Sequence, residues 1–307
     1  MRGWYRAPKP ELLTKKLIAP APEWLIAHAS APNWNSGSLR CAGWAKRHAS
    51  AIPHAMPATP AWPPASTPRL FVDQPLGPES APVIEGPAAH YLLHVMRARA
   101  GDPLLLFDNR SGEWLASIAE AGKRSLAVRV ERQTRPLERV PDFWLCFAPV
   151  KKSRLDWIIE KATELGVARL QPVITERTIV ERVKRERIEA QIVEACEQCG
   201  RTALPELGEP VKLVQLLKAW PPERTLLFAD EAGGIPLPHA DAPAPAALLT
   251  GPEGGFTDRE REALPAHPAV RRIALGPRIL RAETAAIAAT GIWMAAYGDW
   301  GTSGPAP

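Results

Sequence analysis

The sequence predicts an α/β domain built on a parallel sheet, preceded by a smaller β-rich domain. Two observations carry that expectation. From about residue 140 onward, short, nearly continuous apolar runs alternate with helical stretches, as expected of strands covered by helices on both faces. Before that point, short runs are separated by turn residues at the spacing of a small β-barrel. The chain has 307 residues, enough for two domains, and 46% of them are hydrophobic, enough for a sizeable core.

The ordered elements are expected to begin at Pro68. Arg69–Val72 reads as a strand. Ala88–Arg97 has helical spacing, with Leu92, Leu93 and Met96 on one side. Pro103–Phe107, Glu113–Ala119 and Ser125–Glu131 follow as strands, with turns at Gly101-Asp102, Asp108–Gly112 and Ala121–Lys123. Arg132–Pro141 reads as a charged linker. Phe143–Val150 is a buried strand, and Ser153–Leu165 is a helix capped by Ser153 and ended by Gly166. Its buried stripe is Leu155, Ile158, Ile159, Ala162 and Leu165. Val167–Ile174 is the next strand, although Pro172 interrupts the pattern. Arg182–Cys199 is helical, Thr225–Phe228, Ala246–Thr250 and Arg272–Leu275 are strands, and Glu283–Tyr297 is an Ala-rich helix.

The net charge of +5 is unevenly placed. Residues 1–67 hold eight basic and two acidic residues, while 68–307 hold 30 basic and 31 acidic. A nucleic-acid surface on the folded body must therefore be a local patch. The first 67 residues are crowded with proline and keep no apolar period, so they read as mostly disordered, with one short helix compatible with Glu11–Ala19. Five tryptophans are scattered there (Trp4, Trp24, Trp34, Trp44 and Trp62) with no function assigned. Met56 is an internal candidate for the start of the chain. This region is basic and poor in acids, as transit peptides are, but its prolines and tryptophans are not. Neither a secretory signal nor an 18-residue apolar run is evident, which argues against a membrane protein.

Cys41, Cys146, Cys196 and Cys199 are the four cysteines, a low count that suits a reducing compartment. The pair Cys196/Cys199 lies in a polar helical stretch without a second pair, and so reads as two small helix residues rather than a zinc or redox motif. His90 and His94 have metal-ligand spacing but no acidic or thiol partner nearby, and read as surface or packing residues. No metal is expected.

Two segments stand out. In Leu248-Leu249-Thr250-Gly251-Pro252-Glu253-Gly254-Gly255-Phe256-Thr257 a buried strand ends in a glycine-rich loop, and Thr257 with Glu260 makes a capping box for the following helix. Glycine lets backbone approach a ligand or take positive φ. The loop has neither the lysine of a nucleotide-phosphate loop nor the Gly-x-Gly-x-x-Gly of a dinucleotide fold. In Leu275-Gly276-Pro277-Arg278-Ile279-Leu280-Arg281-Ala282-Glu283-Thr284-Ala285 a second strand ends in a loop that opens a helix. The apolar Ile279 and Leu280 within that loop suggest a pocket wall rather than a solvated surface.

Together these segments resemble the ribosomal RNA small subunit methyltransferase E family, of the knotted SPOUT methyltransferase superfamily. Lys151–Val167 resembles the family's first catalytic helix, Pro68-Arg69-Leu70-Phe71 its usual start, and Glu176-Arg177, Glu197-Gln198 and Arg201 fall where it has similar residues. Cys199 stands where a small polar residue is expected, and residues 1–67 have no counterpart. The resemblance spans about 68–300. It implies a PUA-like RNA-binding domain over 68–139, a trefoil-knotted catalytic domain over 140–300 and a tail over 301–307. It also implies that the enzyme is cytoplasmic and homodimeric and methylates N3 of a uridine in 16S rRNA of the small subunit from S-adenosylmethionine.

On that basis Thr250, Gly251, Gly255, Leu275, Ile279, Leu280 and Ala285 are the cofactor-loop candidates. Methyl transfer from a sulfonium is dominated by positioning, but uridine N3 must lose a proton first. Arg281 is the candidate for stabilising the uracil anion, and Glu283 for accepting the proton or for ordering the helix start. Arg69, Arg97, Arg99, Arg110, Lys123, Arg124, Lys151, Lys152 and Arg154 are the candidate RNA contacts. A 2′-O-ribose methyltransferase of the same fold and a non-enzymatic RNA-binding assembly protein are the competing readings, and a nucleotide-binding protein is a remote one.

Overall fold

The computed structural model describes residues 67–180 and 183–301. The expectations for residues 1–66, for Arg182 and for 302–307 lie outside the described residues.

The first sheet is built from β1 (Arg69–Phe71), β2 (Val83–Ile84), β3 (Pro103–Phe107), β4 (Glu113–Ala121) and β5 (Leu126–Arg135), in the spatial order β1-β3-β4-β5-β2. β1 runs parallel to β3, and the other pairings are antiparallel. Three register shifts interrupt the β4–β5 ladder, and such bulges bend and twist a strand pair. The sheet closes over Leu104, Leu106, Trp114, Ile118, Leu126 and Val128. β5 runs four residues past its expected end, into the stretch read as linker. Arg135 is paired there with buried Glu113, and this pairing holds the strand in register.

α1 (Gly86–His90) continues directly into a π-helical turn over Tyr91–Val95. Leu92 is fully buried, but Met96, expected on the same face, is 44% exposed. The wider turn rotates it away from the core.

The second sheet is entirely parallel. Its strands are β6 (Phe143–Phe147), β7 (Arg169–Ile174), β8 (Glu206–Leu207), β9 (Val211–Lys212), β10 (Thr225–Ala229), β11 (Ile235–Pro236), β12 (Ala246–Thr250) and β13 (Val270–Ala274). The order is β11-β13-β10-β12-β6-β7-β8, with β9 also on β7. Pro172 is tolerated in β7 because of what flanks it. β8 pairs with residues 169–170 and β9 with 173–174, and Pro172 lies in the gap between them.

α2 (Lys152–Glu164) buries Leu155, Ile158, Ile159 and Ala162, while Leu165 is only half-buried. The helix begins one residue earlier than expected, with Lys151 at its cap position, so Ser153 sits inside the first turn and caps nothing. Gly166 ends it at φ +96°. α3 (Arg185–Cys199) packs on α2. α4 (Leu213–Lys218) and α5 (Asp258–Ala266) complete the outer layers.

After β12 the chain passes through α5, lays β13 against the far side of β10, and then returns to α6 (Ala282–Tyr297). α6 packs on α2, β6 and β12. Trp293 anchors α6. It is fully buried, stacks on Phe143 at 4.1 Å and donates its indole N–H to the Ala242 carbonyl.

Candidate functional site

The neighbouring strands β13, β10 and β12 end side by side, and the loops leaving their carboxyl ends enclose a cavity of about 250 Å³. Ligands of open parallel sheets bind at that edge. Residues 229–233 form one wall, 250–256 the second and 274–282 the third, with Ala285 reaching in from α6. All seven candidate cofactor-loop residues line it: Thr250, Gly251, Gly255, Leu275, Ile279, Leu280 and Ala285.

The glycines are there for close approach. A Cβ on Gly251 would lie 2.7 Å from the Phe256 ring, and Gly255 sits at φ +67°. The loop is braced on its outer side. Arg177 donates to the carbonyls of Gly254 at 2.9 Å and Phe256 at 3.3 Å. Thr257 and Glu260 form the expected capping box, and Glu260 also accepts from the Glu176 backbone N–H. The Glu176-Arg177 pair therefore serves as a buttress.

The first wall went unread in the sequence. Asp230 is buried, accepts from Arg261 at 3.0 Å and Arg272 at 2.7 Å, and receives the Ala232 N–H. Arg261 also pairs with Glu231. The signal was available: Asp230-Glu231-Ala232-Gly233-Gly234 follows an apolar strand, as the Thr250 loop does.

Arg281 and Glu283 part company in the structure. Arg281 is exposed at the cap position of α6, between the lining residues Leu280 and Ala282, and its guanidinium has no polar partner among the described residues. Arg278, on the cavity wall, is likewise exposed and unpaired. Glu283 points away from this space. It is not a lining residue, its side chain is 12% exposed, and it lies 3.6 Å from Arg154. Its Oε2 is buried with no hydrogen-bond partner. Arg154 also reaches Glu253 of the glycine loop at 3.4 Å, so α2, the loop and α6 meet at one guanidinium.

The candidate RNA contacts divide in the same way. Arg97, Arg99, Lys123, Arg124, Lys151 and Lys152 are exposed, with side chains free of ion pairs among the described residues. Arg110 is exposed but pairs with Asp73. Arg154 is half-buried in the triad above. Arg69 stands apart from these. Its side chain is 9% exposed, pairs with Glu113 at 2.6 Å, donates to the carbonyls of Cys196 and Arg201, and lies over the Phe107 ring. It ties the small sheet to the end of α3 and offers nothing to a ligand.

Around Arg69 the two halves of the molecule are bolted together. Arg135 reaches Glu113 at 2.7 Å and the Gly200 carbonyl at 2.8 Å. Burial works to raise the Glu113 carboxyl, but hydrogen bonds from Arg135, Arg69 and Thr134 outweigh it and hold the group at about 2. Glu197 accepts the Phe71 N–H, and Arg201 donates to the carbonyls of Thr163 and Val167. Burial pushes the Cys196 thiol up to about 12, which leaves it inert as a nucleophile. No group of three or more potential metal ligands exists among the described residues. His90 and His94 face each other at the surface, ring centroids 4.6 Å apart.

Comparison with known proteins agrees with this geometry. The RNA methyltransferase domain profile matches residues 138–294, and the RNA methyltransferase PUA domain profile matches 84–131. Ribosomal RNA small subunit methyltransferase E of Rickettsia conorii is 33% identical over 65% of this chain and 83% of its own length. The Synechocystis protein of the same name is 34% identical over 64% of this chain and 67% of its own. The crystal structure of a Neisseria gonorrhoeae ribosomal RNA small subunit methyltransferase E bound to S-adenosyl methionine superposes with a TM-score of 0.71 at 28% identity, covering 76% of this chain and 99% of that one. A putative methyltransferase of Legionella pneumophila, in complex with the same cofactor, gives 0.65 at 31% identity over 75% and 98%. With a profile match across half the chain and relatives a third identical over most of their length, the chain belongs to the ribosomal RNA small subunit methyltransferase E family.

Proposed function

We propose that this chain methylates N3 of a uridine in 16S ribosomal RNA. The broader activity, S-adenosylmethionine-dependent methylation of small-subunit rRNA, is that of its family. The observation that carries the reading is the three-loop cavity with an unpaired guanidinium, Arg281, beside it.

The cavity suits the cofactor. Leu275, Ile279 and Leu280 offer apolar surface to a purine, while Thr250, Gly251 and Gly255 bring backbone polar groups close without side chains in the way. Bound there, the cofactor supplies an electrophilic methyl group. The protein's own part is to place the uracil in line and to stabilise negative charge on its oxygens as the N3 proton passes to solvent water. Arg281, exposed and unneutralised, takes that second role. We assign Glu283 the ordering of the α6 start: it sits in the first turn, favoured by the helix dipole, and pairs with Arg154.

The RNA-binding unit is assigned to 68–139 and the catalytic unit to 140–300, with Arg97, Arg99, Arg110, Lys123, Arg124, Lys151 and Lys152 as RNA contacts. A cytoplasmic homodimer is also part of the reading. Trp157 on α2, Ile292 on α6 and Trp300 beyond it are exposed, and a second copy would cover them. No helix among the described residues is long and apolar enough to cross a membrane.

The test is methyl incorporation from labelled cofactor into small subunits that lack native modification, followed by nucleoside identification. N3-methyluridine is expected. A methylated ribose would overturn the target, and an absence of both incorporation and cofactor binding would favour a non-enzymatic RNA-binding role.

A further inference from the structure

We propose that the turn Tyr91–Arg99 of the small domain is a docking site for an unpaired stretch of RNA, with Tyr91 and His94 as stacking faces and Arg97 and Arg99 as phosphate contacts. The proposal rests on the reading of the chain as an rRNA methyltransferase, and names where on the small domain the RNA backbone and bases are held.

Four observations converge on this turn. Its helix is π-wound over Tyr91–Val95, with the Met96 N–H donating to the Tyr91 carbonyl and the Ala98 N–H to the Leu92 carbonyl. Such turns are rare and recur at functional sites. Only Leu92 is fully buried by this winding, and Tyr91, Val95 and Met96 are left 49%, 61% and 44% exposed. Three large apolar side chains within six residues of one surface turn form a patch that the chain itself does not cover. Arg97 holds a left-handed conformation at φ +58°, which is uncommon for a residue with a Cβ and which re-aims the chain as it leaves the helix. Finally, the patch is one-sided in charge. Residues 86–101 contain no acid, and the side chains of Arg97 and Arg99 have no partner among the described residues.

An exposed tyrosine ring and an exposed imidazole, the latter with His90 at 4.6 Å, beside free guanidinium groups match the chemistry of single-stranded nucleic acid. Bases stack on ring faces without regard to sequence, and the cations track the phosphates. A protein partner would be served by the apolar residues but would leave the two arginines unneutralised. A duplex presents no free base face to Tyr91.

The experiment measures binding of the full chain to a fluorescent oligouridine and to protein-free small-subunit rRNA over a range of salt, with cofactor affinity and thermal stability followed in parallel. Tyr91→Ala is expected to weaken oligouridine binding about five- to thirty-fold with an unchanged salt slope, and Tyr91→Phe to retain it. Arg97→Gln/Arg99→Gln is expected to weaken binding and to lower the slope of log affinity against log salt by about 1.4. Cofactor affinity stays at the wild-type value in all three. Unchanged RNA affinity in both the Tyr91→Ala and the double-arginine variants, with cofactor binding and methylation intact, would overturn the docking site alone. So would a change of sedimentation in Val95→Asp/Met96→Asp with RNA affinity unaffected, which would mark a protein contact. A wild-type chain that binds no cofactor and methylates no rRNA would overturn the parent reading, and the docking site with it.

Discussion

Arginine does opposite jobs in two regions of this molecule. At the junction between the sheets, Arg69, Arg135 and Arg201 are fixed by carboxylates and backbone carbonyls, and Arg69 and Arg201 are almost wholly buried. Beside the cavity, Arg278 and Arg281 are exposed and hold nothing. A guanidinium held inside the protein by carboxylates and carbonyls has little left for a ligand, whereas an unneutralised one beside a cavity is set to meet developing negative charge. Sequence alone does not separate the two, because the groups that hold Arg69, Arg135 and Arg201 are distant in sequence.

The comparison breaks most visibly at Arg281. Arg281→Ala is expected to lower kcat on unmodified small subunits by on the order of 10²-fold, with the melting temperature unchanged. Gly251→Ala comes next. The added Cβ meets the buried Phe256 ring and forces the loop to shift, so cofactor affinity measured by calorimetry should fall at least about tenfold. At the junction the expected effect is on stability. Glu113→Ala leaves Arg69 and Arg135 without their buried partner, and should cost about 3 kcal/mol in urea unfolding, with cofactor affinity per folded molecule preserved.

The pH dependence has a fixed sign. Glu113 titrates at about 2 in the folded chain against an ordinary 4.5, so its contribution is complete above about pH 4.5 and is lost as pH falls toward 2. The wild type should lose stability across that window more steeply than Glu113→Gln, as followed by denaturant midpoints. The smallest effect is expected at Arg154→Met. Its pairs are partly solvated, so stability should change by no more than about 1 kcal/mol and kcat by a few-fold.

The elements were legible where local chemistry decided them. The capping box at Thr257/Glu260, the stop at Gly166 and the unbroken apolar strands 143–147 and 246–250 all follow from residue type and spacing. The two cavity loops were legible because each joins a strand to a helix through glycine. What stayed hidden depends on partners distant in sequence. Arg69 reads as a free surface cation until Cys196 and Arg201, more than 120 residues away, are placed beside it. Met96 reads as a core residue until the π turn moves it outward, and Ser153 reads as a cap until the helix starts before it. The Asp230 loop was missed although its pattern repeats the other two, since its acid is neutralised only by tertiary contact with Arg261 and Arg272.

The most direct test of this division is single-turnover methylation of unmodified small subunits at saturating cofactor, comparing wild type, Arg281→Ala and Arg69→Met at a temperature where all three are folded. The account predicts N3-methyluridine in every case, formed about 10²-fold more slowly by Arg281→Ala and at close to the wild-type rate by Arg69→Met. An Arg281→Ala enzyme as fast as wild type, or an Arg69→Met enzyme as slow as the Arg281 variant, would contradict it.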